Sequence, residues 1–335
     1  MTWAAVTRRR RPLGRLICQF PAARRTQVLR PGHINKVLVV QWLKVEHADE
    51  ATSFILNQPN IDFLGIGGIY LSKRDKGKDT KDGDVEKSED ENEKKDEHDP
   101  AAIVVPTTSP EHVVRLDKLR HLCLFSGSGG LAWSHVVPSL AKGSLTELKT
   151  LIVECHDRDA FAKLIAAAAP ALRSVAVSFQ GPGIDIDLSK ARSLSNLATT
   201  LALYPDKEHI LADTIATVSS APPSLANLFV SIGPSTIQAE KEPDSAPSQW
   251  AAFDALLAGL PRLRRIVVVV VFDPCISMFI AMPGQGGSML EKWKGDALEY
   301  VKARLSVCGA RGIVEVKHVV GSWTSGAFAN HPLPE

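Results

Sequence analysis

At 335 residues the chain is long enough for two average domains or for one stack of repeated units. Its 44% hydrophobic and 23% charged residues exclude a chain unfolded throughout, and a net charge of +2 excludes a chain-wide attraction to nucleic acid. Five cysteines without a CxxC pair argue against a disulfide framework or zinc knuckle, and the strongest apolar run, IVVVVVF at 266–272, has seven residues, far short of a membrane span of about 18. A cytoplasmic or nuclear protein with reduced thiols is the expectation, with no membrane partner and nucleic acid not favoured.

Residues 1–32 form a basic leader with eight arginines and no acid within positions 1–30. An organelle-targeting segment, mitochondrial for instance, a basic nuclear or nucleic-acid patch around Arg8 to Arg11, and a disordered leader all fit that composition. Pro12 and Pro21 interrupt any helix there, so the leader is set apart from the folded region.

From Ile34 an aliphatic pattern recurs at positions i, i+3 and i+5. It reads Ile34, Val37, Val39; Ile61, Leu64, Ile66; Leu119, Leu122, Leu124; Leu148, Leu151, Val153; and Leu172, Val175, Val177. It continues with Leu197, Leu201, Leu203, one residue too long, then Leu225, Leu228, Val230 and Leu263, Ile266, Val268. A last copy has Val314 and Val316 with Arg311 in the first slot. Most spacings suit one strand plus one helix per unit. The segments 47–57, 157–169, 208–220, 248–260 and 290–309 have the three- and four-residue apolar spacing of helices, and several are followed by proline and an aliphatic residue, which ends the helix and leads into the next strand. The expected fold is α/β: a curved leucine-rich-repeat-like solenoid over residues 33–320, parallel sheet on the concave face and helices outside, followed by a tail at 321–335.

The longest interruption, residues 73–100, holds twelve acids and eight bases with Val85 its one apolar residue. Such a tract cannot bury enough surface to offset its ordering entropy and is expected to be disordered. Ser88, followed by Glu89, Asp90 and Glu91, is a candidate phosphorylation site for an acid-directed kinase.

No catalytic, cofactor or metal constellation is found. The glycine clusters at 126–130 and 284–288 lack the lysine-Ser/Thr ending of a phosphate loop, and GxSxG and HExxH are absent. Cys155-His156-Asp157 has the residue types of a thiol enzyme, but adjacent residues leaving a strand cannot aim at one another.

If i+3 and i+5 point toward the helices, i+2 and i+4 point to the other face. The i+4 row includes Leu38, Cys123, Ile152, Ala176, Phe229 and Val267, and the flanking i+2 row includes His121, Thr150, Ser174, Asn227 and Arg265. An apolar row with a polar rim is a candidate protein-binding face, provided the chain's own leader, insertions or tail do not cover it.

The nine strand copies and especially SQWAAFDALLAGLPRLRRIVVVVV (248–271), followed by a long helix and VCGARGIVEVKHV (307–319), resemble the leucine-rich-repeat-like region of fungal F-box proteins. Trp250, Phe253, Leu256, Leu257, Leu260, Pro261, Leu263 and Ile266 fill that family's tryptophan-leucine-proline block, and Ala310-Arg311-Gly312 opens its final strand. The resemblance implies a substrate-binding part of a ubiquitin-ligase receptor, with an adaptor subunit as partner only if an F-box lies upstream; residues 1–32 contain none. Two other readings stay open: a structural or vestigial repeat protein with no dedicated ligand, and a doubly wound α/β enzyme.

Overall fold

The structure, a computed structural model, describes residues 36–40, 43–45, 52, 55, 60–67, 69–71, 116–124, 135–143, 145–155, 157–179, 186–201, 209–233, 247–272 and 286–320. The leader, the tract at 73–100 with Ser88, the cluster at 126–130 and the tail at 321–335 lie outside the described residues.

In chain order the elements are β1 (Lys36–Val40), β2 (Leu43–Val45), β3 (Ile61–Ile66), β4 (Ile69–Leu71), β5 (His121–Leu124), α1 (Val137–Lys142), β6 (Thr150–Cys155), α2 (Arg158–Ala168), β7 (Ser174–Phe179) and β8 (Asn196–Leu201). There follow α3 (His209–Ser219), β9 (Asn227–Ile232), α4 (Pro247–Gly259), β10 (Arg265–Phe272), α5 (Gly286–Arg304), α6 (Ser306–Ala310) and β11 (Val314–Val320). Nine strands form one sheet in the order β1-β3-β5-β6-β7-β8-β9-β10-β11, and every pairing in it is parallel. Each strand of this sheet therefore lies beside its predecessor in the chain, and the order never reverses. Two short strands, β2 and β4, pair as a separate parallel ribbon that the repeat pattern did not anticipate.

The same local device sets up most strands. A turn closes when the amide of Leu119 donates to the Leu116 carbonyl, Leu148 to Leu145, Leu194 to Ala191 and Leu225 to Pro222, at 2.8 to 3.0 Å. The leucine that closes the turn is buried in each case, and the next residues enter the ladder with i+3 and i+5 on one face. That face is covered by helices. In α2, Phe161, Leu164, Ile165 and Ala168 recur at helical spacing and are buried in one cluster with Leu151, Val153, Val175 and Val177. Phe161 is fully buried, a contribution of about 2 to 3 kcal/mol from side-chain burial. Asp157 caps this helix, its Oδ1 accepting the Ala160 amide at 3.0 Å.

At the other end of the sheet, Trp250 and Phe253 of α4 are buried, and Trp250 meets the Tyr300 ring edge-on at 5.9 Å. Asp254 of α4 is also buried, its carboxylate accepting the Val307 amide at 2.7 Å and the Cys308 amide at 3.0 Å. It thus satisfies two first-turn donors of α6 that the helix itself cannot. The expected helix at 290–309 is two helices broken at Leu305, and Asp254 holds the second.

The structure corrects the repeat reading in three places. The pairing between β1 and β3 shifts by one residue between Lys36 and Val37, so Leu38 stands beside Leu64 and Val39 beside Gly65. Leu38 therefore belongs to the i+3 row and is buried in the cluster under the helices, not on the opposite face. In β8, Leu197 pairs with both Val175 and Leu228, so the unit is Leu194, Leu197, Thr199 with no extra residue. Thr199 takes the i+5 slot fully buried, its hydroxyl 3.5 Å from that of Thr214 on α3. Finally, α1 was not expected: its Pro138 sits in the first turn, where its missing amide leaves no bond unmade.

Candidate functional site

With the register known, the face opposite the helices is read row by row. The i+2 row runs Val37, Phe63, His121, Thr150, Ser174, Asn196, Asn227 and Arg265. The i+4 row runs Val39, Gly65, Cys123, Ile152, Ala176, Ala198, Phe229, Val267 and Glu315. One step further, Glu154, Ser178, Thr200, Ser231, Val269 and Lys317 align. Ten of the eleven face residues expected from sequence stand together on this face; Leu38 does not.

The polar row is knitted together by its own side chains. Asn227 Nδ2 donates to Asn196 Oδ1 at 2.8 Å, and Asn196 Nδ2 donates to Ser174 Oγ at 3.0 Å and to Ser195 Oγ at 3.1 Å. Asn196 and Ser174 are buried, while His121, Thr150, Asn227 and Arg265 are half-buried. Burial lowers the His121 imidazole below its ordinary value; Asp62 acts against that shift, and the cations of Lys149 and Arg120 reinforce it. At the far edge Arg265 donates twice to Glu315 Oε2, from Nη2 at 2.6 Å and from Nε at 3.0 Å, which holds the Glu315 carboxyl below its usual value.

The apolar row differs from expectation in its accessibility. Ala176, Ala198, Phe229 and Val267 are buried, and together with Val269 and Val271 they form a second hydrophobic cluster whose described members all come from strands. Ile152 is the half-buried exception among the predicted members. The apolar residues predicted to be open, Ala176, Phe229 and Val267, are therefore not open. Ala176 stands beside Ile152 and Ala198 beside Phe229 in the ladder.

Sequence reasoning missed Asn196, Ala198, Glu154, Ser178, Thr200 and Ser231. The signal was present, since taking Leu194 in place of Leu197 as the start of its unit brings Asn196 and Ala198 into their rows at once. Glu154, Ser178, Thr200 and Ser231 are all buried, and the Thr200 hydroxyl has no hydrogen-bond partner among the described residues.

Burial pushes the thiols of Cys123 and Cys308 up to about 12, with Asp254 adding to the effect at Cys308. Cys155 ends β6, His156 lies outside the described residues, and the Asp157 carboxylate is engaged in capping α2. Among the described residues no group of His, Cys, Asp and Glu could hold a metal ion, and no helix is long and apolar enough to cross a membrane. A cavity on the helix side is lined by Val230, Ile232, Trp250, Phe253, Val268 and Tyr300 among others, with no carboxylate or amine to orient a substrate.

No family model matches the chain, and no curated protein does.

Proposed function

We propose that the chain is a non-catalytic protein-recognition module built as a curved leucine-rich-repeat-like solenoid, and that it binds its partner through the sheet face opposite the helices. The supporting observation is the polar row on that face. His121, Thr150, Ser174, Asn196, Asn227 and Arg265 occupy equivalent positions on six consecutive strands, Ser174, Asn196 and Asn227 tied to one another by side-chain hydrogen bonds and Arg265 to Glu315, with Ile152 partly open beside them. A row of amides and hydroxyls fixed in place before any ligand arrives loses little entropy on binding, which is what a recognition surface needs. With Ala176, Phe229 and Val267 buried, this reading puts the contact at the half-buried His121, Thr150, Asn227 and Arg265 on the strand-beginning half of the face.

In this reading the module selects substrates for a ubiquitin ligase of the F-box type, and the adaptor subunit joins only through an F-box upstream. The test is affinity purification of the tagged full chain beside Thr150→Arg, which plants a bulky cation in the polar row. Partners recovered with the wild type and missing from the variant support the proposal; an identical set of partners on both removes the face from consideration. A second reading, a structural repeat protein with no dedicated ligand, draws support from the buried apolar row, and predicts that neither form retains any protein after a salt wash.

A further inference from the structure

One position before the polar row, the strands present Asp62, Arg120, Lys149, Arg173, Ser195, Ala226 and Arg264. Backbone bonds make these neighbours: Lys149 N donates to the Arg120 carbonyl at 2.8 Å, and Arg173 to Lys149, Ser195 to Arg173, Ala226 to Ser195 and Arg264 to Ala226, each at 2.9 Å. Arg120, Lys149 and Arg173 thus stand on three consecutive units at about 4.8 Å per step, three cations within about 10 Å along the edge where the strands begin. Arg120 and Arg173 are exposed and Lys149 half-buried. Exposed Lys118 in the preceding turn adds to them, while Asp117 and Glu147 are the acids of the same turns.

Like charges directly across neighbouring strands destabilise a sheet. Asp62 relieves one end of the row, its carboxylate 3.8 Å from Arg120 Nε. Among the described residues no acid makes an ion pair with Lys149 or Arg173. Among the described residues the three cations thus stand aligned with Asp62 alone beside them, and an anion laid along the row would offset their repulsion.

We infer that this edge binds a short acidic segment of a partner protein in extended conformation. Carboxylates on alternate residues of an extended peptide lie about 6.8 Å apart, so two or three of them span the three cations. A polypeptide fits better than a nucleic acid for two reasons. The turns and the cationic positions at 116–120, 145–149 and 169–173 contain no aromatic ring on which a base could stack. The interleaved Asp117 and Glu147 would repel a continuous phosphate backbone, whereas side-chain carboxylates can be spaced to avoid them. The inference is independent of the recognition face proposed above: a partner lost on Thr150→Arg and an acidic peptide retained would separate the two.

The experiment is fluorescence anisotropy of a labelled peptide of alternating Glu and Ser titrated with the full chain. The triple variant Arg120→Glu, Lys149→Glu, Arg173→Glu should bind at least about tenfold more weakly, and raising salt from about 0.05 to 0.3 M should weaken the wild type similarly. A control with the same change in net charge on the helices, Lys163→Glu, Lys292→Glu, Lys302→Glu, should stay within about twofold of wild type. The triple with Gln at the three edge positions, checked by thermal unfolding, separates lost charge from lost fold and should also bind more weakly. Because residues 73–100 are themselves acidic, a chain lacking them is titrated in parallel, and the edge triple made in that chain should lose the same factor in affinity. Absence of binding by both chains, equal losses in the edge and helix triples, or tighter binding of a single-stranded nucleic acid at the same salt would each overturn it.

Discussion

Replacing Asp254 with alanine should be among the most costly single changes in the last third of the chain. The side chain is 3% exposed, and its two oxygens accept the amides of Val307 and Cys308 at 2.7 and 3.0 Å. A hydrogen bond to a charged acceptor is worth about 1.5 to 3 kcal/mol, and a donor left buried without a partner costs about 1 to 3 kcal/mol. The two bonds are not equivalent. Val307 is half exposed, so water can take over its amide, whereas Cys308 is fully buried and its amide is stranded. We therefore expect Asp254→Ala to cost about 3 kcal/mol, most of it from the Cys308 amide. Asp254→Asn keeps one acceptor oxygen and should cost about half as much. Urea unfolding followed by circular dichroism measures both, with an unchanged slope showing that the denatured state is not the cause. A loss below about 0.5 kcal/mol for the alanine variant would refute the claim that this carboxylate holds α6 in place.

Four further outcomes are expected. Phe161→Ala, which empties the space between α2 and the sheet, should cost about 3 to 5 kcal/mol by urea titration. Gly312 has φ of 70° with nothing within 4 Å of where a Cβ would stand, so Gly312→Ala should cost about 1 kcal/mol from backbone strain alone. The Glu315 carboxyl is held below its usual value by Arg265, so its stabilising contribution is present above about pH 4.5 and lost as pH falls through the lower folded value; with 42% of the side chain exposed, Glu315→Gln should cost only about 0.3 kcal/mol at pH 7 and nothing near pH 2. Thiols pushed up to about 12 are almost wholly protonated at pH 8, so peptide mapping after iodoacetamide treatment should find Cys123 and Cys308 unmodified in the native protein and modified in urea.

The sheet was legible because the repeat is written in aliphatic residues that fill a core. Leu122, Leu151, Val175, Leu228 and Ile266 appear in sequence at the spacing the ladder uses; Leu122, Leu151 and Val175 pair in succession, as do Leu228 and Ile266, with Leu197 between the two groups. Where the pattern misled, a local exception was responsible. The shift between Lys36 and Val37 moves Leu38 to the helix side, and no residue type announces it. Thr199 occupies a slot that is aliphatic in the other units, because a buried hydroxyl facing Thr214 is tolerated there, and the next aliphatic residue, Leu201, lies outside the pattern. The break at Leu305 was hidden because its cause, Asp254, lies about fifty residues away in sequence and is adjacent only in the fold.

The face itself was legible in position and misjudged in exposure. Alternation assigns His121, Thr150, Ile152, Ser174 and Arg265 to one side whatever the surroundings, so those assignments hold. Accessibility depends on what flanks and covers each side chain, and alternation within one strand carries no record of the neighbours, Ala198, Val269 and Val271, with which Ala176, Phe229 and Val267 cluster. The cationic edge was overlooked for another reason. Leu119-Arg120, Leu148-Lys149, Leu172-Arg173 and Leu263-Arg264 are repeated dipeptides, visible once the position after each turn-closing leucine is read as a row in its own right.

On the proposed reading the two faces of one sheet do different work, helix packing on one and recognition on the other. Leu151 and Ile152 are adjacent in β6 and point to opposite faces, the first fully buried under the helices and the second half open. The most direct test is a paired thermal unfolding and partner pull-down of Leu151→Glu and Ile152→Glu in the full chain. The account predicts that Leu151→Glu fails to fold, and that Ile152→Glu unfolds within a few degrees of wild type while losing its partner. An Ile152→Glu protein that unfolds like Leu151→Glu, or that keeps every partner of the wild type, would contradict it.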